Sequence, residues 1–157
     1  ESPRRGETFV TRKITRGVSR IKEGLQNQIL LGNLNAKRDW GYAPEYCEGM
    51  WLMLQQEKPE DFVLATGKQY SVKQFVNLVL RELNIKYFWK GKGIKSKCYN
   101  NKGKCIIECD KTYIRPLEVD TLLGNSNKAK KELKWKPKVS INQLVKEMVN
   151  FEVKKFS

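Results

Sequence analysis

Apolar residues recur three or four positions apart through residues 7–25, which puts Val10, Ile14, Val18, Ile21 and Leu25 on one face of a helix. Lys13, Arg16 and Arg20 lie off that stripe. Gln28-Ile29-Leu30-Leu31-Gly32-Asn33 is a short apolar run closed by a Gly-Asn breaker, and it predicts a strand over 28–33 with a loop over 34–41. Between 42 and 56, Tyr42, Tyr46, Met50, Met53 and Leu54 return at helical spacing, with the last turns apolar almost all round, the pattern of a buried helix. Residues 61–67 predict a short buried strand. Ser71 with Gln74 makes a capping box ahead of Phe75, Val76, Val79, Leu80 and Leu83. Strand-favouring residues return at 85–88 and 105–108, separated by a basic loop or hairpin over 90–104. A short helix over 126–133 and a final one capped by Ser140 and Gln143 close the chain.

Strands alternating with helices indicate an α/β fold, but only two or three strands are followed by helices, so a complete doubly wound sheet does not fit. A length of 157 residues suits one domain, 1–157, with its own core. Hydrophobic residues at 39% and charged residues at 31% are the proportions of a globular chain rather than a disordered one. The longest apolar run, Met50 through Leu54, falls far short of the roughly 20 residues of a membrane span. Glu1-Ser2-Pro3-Arg4-Arg5-Gly6 has neither a starting methionine nor the apolar core of a signal peptide, so the chain is expected to be cut from something longer.

Lys+Arg 31 against Asp+Glu 17 gives a net charge of +14, which directs attention to polyanions: nucleic acid, anionic membrane or phosphorylated small molecules. A solvated face is the ordinary account of scattered lysines such as Lys90, Lys92, Lys95, Lys97, Lys102 and Lys104. The absence of histidine disfavours most hydrolase constellations. Cys47, Cys98, Cys105 and Cys109 match no paired Cys-x-x-Cys spacing and read as free thiols of a reducing cytoplasm, with no metal site expected. No tyrosine has a lysine four positions later, and Gly91-Lys92-Gly93 is only a fragment of a dinucleotide-binding loop. No catalytic residue is therefore assigned. Arginines in loops are more informative: Arg4, Arg5, Arg38 and Arg115. A guanidinium fork donates two parallel charge-assisted hydrogen bonds to a diphosphate. The competing account pairs Arg38 with Asp39 and Arg115 with Glu118 as surface ion pairs worth at most about 1 kcal/mol each. Composition leaves the two readings level.

An ordered set of motifs resembles the GDP-mannose 4,6-dehydratase family of the extended short-chain dehydrogenases/reductases. It comprises Glu1-Ser2-Pro3-Arg4-Arg5-Gly6, Phe9-Val10-Thr11-Arg12-Lys13, Leu31-Gly32-Asn33-Leu34 and Lys37-Arg38-Asp39-Trp40-Gly41. Met50-Trp51-Leu52-Met53-Leu54-Gln55, Pro59-Glu60-Asp61-Phe62-Val63, Ala65-Thr66-Gly67, Arg115-Pro116 with Glu118-Val119-Asp120, and Trp135-Lys136-Pro137 continue it over nearly the whole chain. The resemblance implies a C-terminal nucleotide-sugar-binding part whose strands near 28–33 and 61–67 abut an NADP-binding Rossmann domain not included here. It implies an NADP-dependent lyase of the cytoplasm that converts GDP-D-mannose to GDP-4-keto-6-deoxy-D-mannose on the way to GDP-fucose, the intact enzyme being a homo-oligomer. The family's catalytic Thr, Glu, Tyr and Lys and its glycine-rich loop precede the Glu-Ser-Pro-Arg-Arg motif, so this stretch alone is expected to be inactive.

By motif, Arg5 resembles a cofactor contact near the nicotinamide end, Lys13 a guanosine contact and Val10 a residue lining that pocket. Arg38 and Arg115 resemble diphosphate ligands. Glu118 resembles an acceptor for nucleotide hydroxyl or amino groups, since a carboxylate accepts and cannot ligate phosphate. Gly32 would let the backbone approach the ligand closely, and a plain strand-ending turn explains it nearly as well. Trp40, Trp51 and Tyr46 are assigned to the core. Two other readings remain: another nucleotide-sugar dehydratase or epimerase of the superfamily, and a basic nucleic-acid-binding module, for which no recognition motif is present.

Overall fold

Phe9 is extended, and the chain turns from it into helix α1 (Val10–Lys22), which ends at Glu23. The structure, a computed structural model, describes residues 1–114, 117 and 119–156. Ile14 and Val18 on the expected stripe are fully buried, whereas Leu25 lies beyond the helix and is 54% exposed. The stripe outruns the helix because Gly24, at φ +74°, breaks it.

Strand β1 (Ile29–Leu31) runs parallel to β6 (Cys105–Cys109), which pairs antiparallel with β5 (Lys97–Asn100), itself antiparallel to β4 (Tyr87–Lys90). The sheet order is β1-β6-β5-β4, and the basic stretch, expected as a loop or hairpin, holds β5 and the turns on either side of it. One sheet face, with Ile29, Leu31, Cys98 and Ile107, is buried. Against this core pack α1, α3 (Val72–Glu82) and α5 (Ile141–Val153), which also contact one another. Both expected capping boxes form: Gln74 and Gln143 donate backbone N–H groups to Ser71 and Ser140 hydroxyls, and their side-chain carbonyls accept in return.

Two features fix α1 in place. A Cβ on Gly17 would stand 2.6 Å from Ile29 Cδ1, so the bare glycine lets helix and strand approach more closely than alanine would allow. Arg12, off the apolar stripe, reaches Glu152 of α5 at 2.6 Å, with side chains only 5% and 1% exposed.

Short strands β2 (Lys37–Arg38) and β3 (Tyr70–Ser71) pair antiparallel, β2 lying within the expected loop over 34–41, and Lys37 also bridges Thr121. Trp40 is core, 7% exposed and 5.1 Å from the Phe75 ring. Helix α2 (Ala43–Leu54) has Pro44 in its first turn and joins a smaller cluster around Trp135 with α4 (Asn127–Glu132). Trp135 Nε1 donates to the Glu45 carbonyl at 2.7 Å, and the Glu45 carboxylate accepts from the N–H groups of Lys138 and Val139.

Two expectations need correcting. Helix α2 is not buried: Gly49 alone among its residues is, while Met50, Trp51 and Leu54 are 52%, 59% and 81% exposed. Trp51 is therefore not a core residue. Residues 61–67 form no strand, because apolar sequence makes a ladder only beside a partner edge, and the Thr66 and Gly67 N–H groups bond to the Asp39 carboxylate instead. Among the described residues no helix is long and apolar enough to cross a membrane.

Candidate binding cleft

The C-terminal end of β1, the start of α1, β2 and the two segments beside Asp39 enclose a cleft of about 830 Å3. Its volume falls in the range of small-molecule sites. Arg5, Val10, Lys13, Gly32 and Arg38, far apart in sequence, all line it. Arg115 and Glu118, the other two expected ligand residues, lie outside the described residues.

Each wall has a local cause. Val10 and Lys13 are one helical turn apart on α1 and therefore share a face. The Lys13 ammonium sits 3.6 Å from the centre of the Tyr113 ring. Partial burial pulls its pKa below the usual lysine value, and nearby Asp110 partly offsets this. Gly32 follows β1, and a Cβ there would meet the Tyr113 carbonyl oxygen at 2.2 Å. Its missing side chain thus makes room for the neighbouring Tyr113 backbone at the cleft wall. Arg5 lies 3.6 Å above the Phe9 ring and 3.4 Å from the Glu1 carboxylate. Arg38 Nη1 donates to the carbonyls of Lys37 (2.8 Å) and Val119 (2.7 Å), which hold the guanidinium at the cleft.

Asp39 points away from the ion-pair role considered for it. One carboxylate oxygen accepts from the Thr66 N–H and hydroxyl, the other from the N–H groups of Gly67 (2.9 Å) and Gly124 (3.4 Å). Three separate passes of the chain, each contributing to the cleft wall, are thereby tied at one side chain. Tyr46 lines the same wall and packs edge-on against Trp135 at 5.6 Å. Burial, with Asp39 and Glu45 nearby, pushes its pKa up to about 12. Sequence reasoning missed Asp39, Tyr46 and Tyr113 as cleft residues. Asp39 stood inside a quoted motif, and Tyr113 two positions before Arg115, but only tertiary structure shows what they face.

Arg5, Lys13 and Arg38 therefore line a concave site whose carboxylates among the described residues, Glu1 and Asp39, are already engaged, Glu1 by the Thr11 hydroxyl and Arg5. Such an arrangement suits an anionic ligand. Compared with known proteins, residues 1–148 match the family described as GDP-mannose 4,6 dehydratase. The chain belongs to the GDP-mannose 4,6-dehydratase family. A GDP-mannose 4,6 dehydratase of Dictyostelium discoideum is 58% identical over 150 residues, covering 95% of this chain and 42% of the relative. GDP-mannose 4,6 dehydratase 2 of Caenorhabditis elegans is 53% identical over 153 residues, 98% of this chain and 40% of that protein. The chain thus spans about two fifths of the length of these dehydratase relatives.

Solved structures agree on the fold. RMD from Pseudomonas aeruginosa, complexed with NADPH, superposes with a TM-score of 0.77 at 17% identity, over 98% of this chain and 46% of that one. A dTDP-glucose 4,6-dehydratase from Bacillus anthracis, in complex with NAD, gives 0.73 at 17% identity, over 98% and 42%. The α/β fold of this GDP-mannose 4,6-dehydratase family member is therefore one that larger enzymes contain as less than half of their length.

Proposed function

We propose that the cleft binds GDP-mannose and that the chain is the nucleotide-sugar-binding part of an NADP-dependent GDP-mannose 4,6-dehydratase. The convergence of Arg5, Val10, Lys13 and Arg38 on one cleft, in a chain of this family, carries the reading. Arg38, braced by two carbonyls, and Arg115 take the diphosphate through charge-assisted bonds, each worth about 1.5–3 kcal/mol net. Lys13 and Val10 flank the guanosine, and Glu118 accepts from its donors. NADP would supply the hydride chemistry of such a dehydratase, oxidation at the sugar C4 balanced by reduction at C6. Arg5 is the residue assigned to it here, and the bulk of the cofactor site is assigned to the N-terminal part of the whole enzyme.

The exposed apolar face of α2 and the unpaired segment 61–67 are the surfaces this chain would turn towards that N-terminal part. In this reading the whole enzyme is a cytoplasmic homo-oligomer, and the 157 residues alone bind without turnover. Another dehydratase or epimerase of the superfamily shares the fold, and base preference separates it.

Calorimetry with GDP-mannose and dTDP-glucose, on this chain joined to the N-terminal part of a family enzyme, tests the proposal. Selective GDP-mannose binding that weakens at least tenfold in Arg38→Ala supports it. Equal affinity for the two nucleotide sugars, or indifference to Arg38→Ala, overturns it.

A further inference from the structure

The charge of the chain is unevenly distributed. Between Glu82 and Glu108 there is no acidic residue, and seven lysines fall within 86–104, whereas residues 44–61 carry five carboxylates and one lysine. The basic stretch belongs to the β4-β5-β6 hairpin system, none of whose residues lines the cleft. Alternation along the strands sends Tyr87, Trp89 and Cys98 to the core side and Phe88, Lys90, Lys97 and Tyr99 to the other face. On that outer face Phe88 and Tyr99 stack across the strands, with centroids 5.5 Å apart and planes 14° from parallel. The Lys90 ammonium lies 5.5 Å from both rings. Phe88 is 42% exposed, and Lys92, Lys95, Lys102 and Lys104 extend from the turns at the ends of the sheet.

Protection of an open edge accounts for part of this. β4 is the last strand of the sheet, and Lys90 on it, with Lys86 just before it, discourages edge-to-edge pairing. Lysines at 92, 95, 102 and 104 guard no edge, and a half-exposed aromatic pair is the opposite of a protective device. An anionic membrane would match the lysines but leaves the paired rings without a role, since only one exposed apolar side chain, Ile94, accompanies Phe88 in the hairpin. A flexible polyanion that carries flat rings matches both: phosphates to the lysines and bases to the aromatic faces. From this juxtaposition we propose that the outer face of the hairpin sheet, centred on Phe88 and Tyr99 and framed by Lys90, Lys92 and Lys95, is a binding platform for single-stranded nucleic acid, separate from the cleft.

The 157-residue chain can be titrated by fluorescence anisotropy against a labelled single-stranded oligomer of about ten nucleotides, a length within the usual site size of such surfaces. Unlabelled duplex, heparin, anionic vesicles and GDP-mannose serve as competitors. Preference for the single strand is expected, and saturating GDP-mannose should leave its binding unchanged. The triple substitution Lys90→Gln, Lys92→Gln, Lys95→Gln should weaken binding at least tenfold and lower the slope of log K against log salt by about two, given roughly 0.7 per phosphate contact. Phe88→Leu, which keeps apolar cover but removes the ring, should cost about fivefold or more at unchanged circular dichroism. Lys130→Gln with Lys131→Gln, exposed on α4, should change little.

Several results overturn the platform. Displacement by GDP-mannose would put the oligomer in the cleft. Equal losses in the α4 variant would reduce the effect to net charge. Heparin competing as well as the single strand, with Phe88→Leu indifferent, would remove base stacking, and preferential capture by vesicles would make the face a membrane contact.

Discussion

At the scale of single residues, the Arg12–Glu152 pair is the most consequential polar contact in the core. Taking two charges out of water is expensive, so the pair itself contributes little net stability, but removing one partner leaves a buried charge without compensation. The Phe151 ring, 5.0 Å from the guanidinium, adds a face for the cation, and Lys155 approaches Glu152 from solvent at 3.4 Å. Arg12→Met or Glu152→Gln should lower the unfolding free energy by about 3–5 kcal/mol. The double variant Arg12→Met, Glu152→Met should recover most of that loss in urea titrations, and failure to do so would show the pair to be a net stabiliser. Arginine at position 12 was visible in the sequence only as part of a family motif. Periodicity assigned the helix face correctly at Ile14 and Val18, but could not show that a charged neighbour turns inward, because the partner lies in the last helix of the chain. The same limit applies to Asp39: a carboxylate beside an arginine invites an ion-pair reading, and only the fold brings Thr66, Gly67 and Gly124 to it. The cationic ligand positions were legible because the motif fixed residue identity at Arg5, Lys13 and Arg38, and the fold supplied what the motif lacked, a single cleft.

Among elements, α2 and the segment 61–67 depart furthest from the sequence expectation. Both are apolar enough to be buried, yet here Met50, Trp51 and Leu54 face outward and 61–67 has no ladder partner. Hydrophobic patterning reports that a surface is to be covered, not which chain covers it. The caps, by contrast, were legible because each is complete within a single helical turn, Ser71 to Gln74 and Ser140 to Gln143. Trp51→Glu with Leu54→Glu should leave the melting temperature of the isolated chain within about 2 °C, since exposed substitutions seldom exceed about 0.5 kcal/mol, and should reduce its self-association. In the chain joined to its N-terminal counterpart the same pair should destabilise the protein by several kcal/mol, at about 25 cal/mol for each Å2 of apolar surface returned to water. Sedimentation and thermal melts on the two forms would distinguish a covered face from one that remains in water.

On the scale of the whole molecule, α1 and β1 both contribute to the cleft wall, and they approach each other closely at a contact outside it. Val10, Lys13 and Gly17 lie on one face of α1, at spacings of three and four residues, and Gly17 meets Ile29 three residues before Gly32. Helix interiors ordinarily gain about 1 kcal/mol when glycine becomes alanine. Here the added methyl would enter the space of a side chain that is 2% exposed, so Gly17→Ala should instead destabilise the chain by about 1–3 kcal/mol. Its second effect should appear in the joined enzyme as a changed ratio of affinities for GDP-mannose and dTDP-glucose, read by calorimetry. A position that touches no ligand would then act as the gauge block of the binding site: ligand preference could drift through a change in spacing, with every residue that touches the ligand left intact.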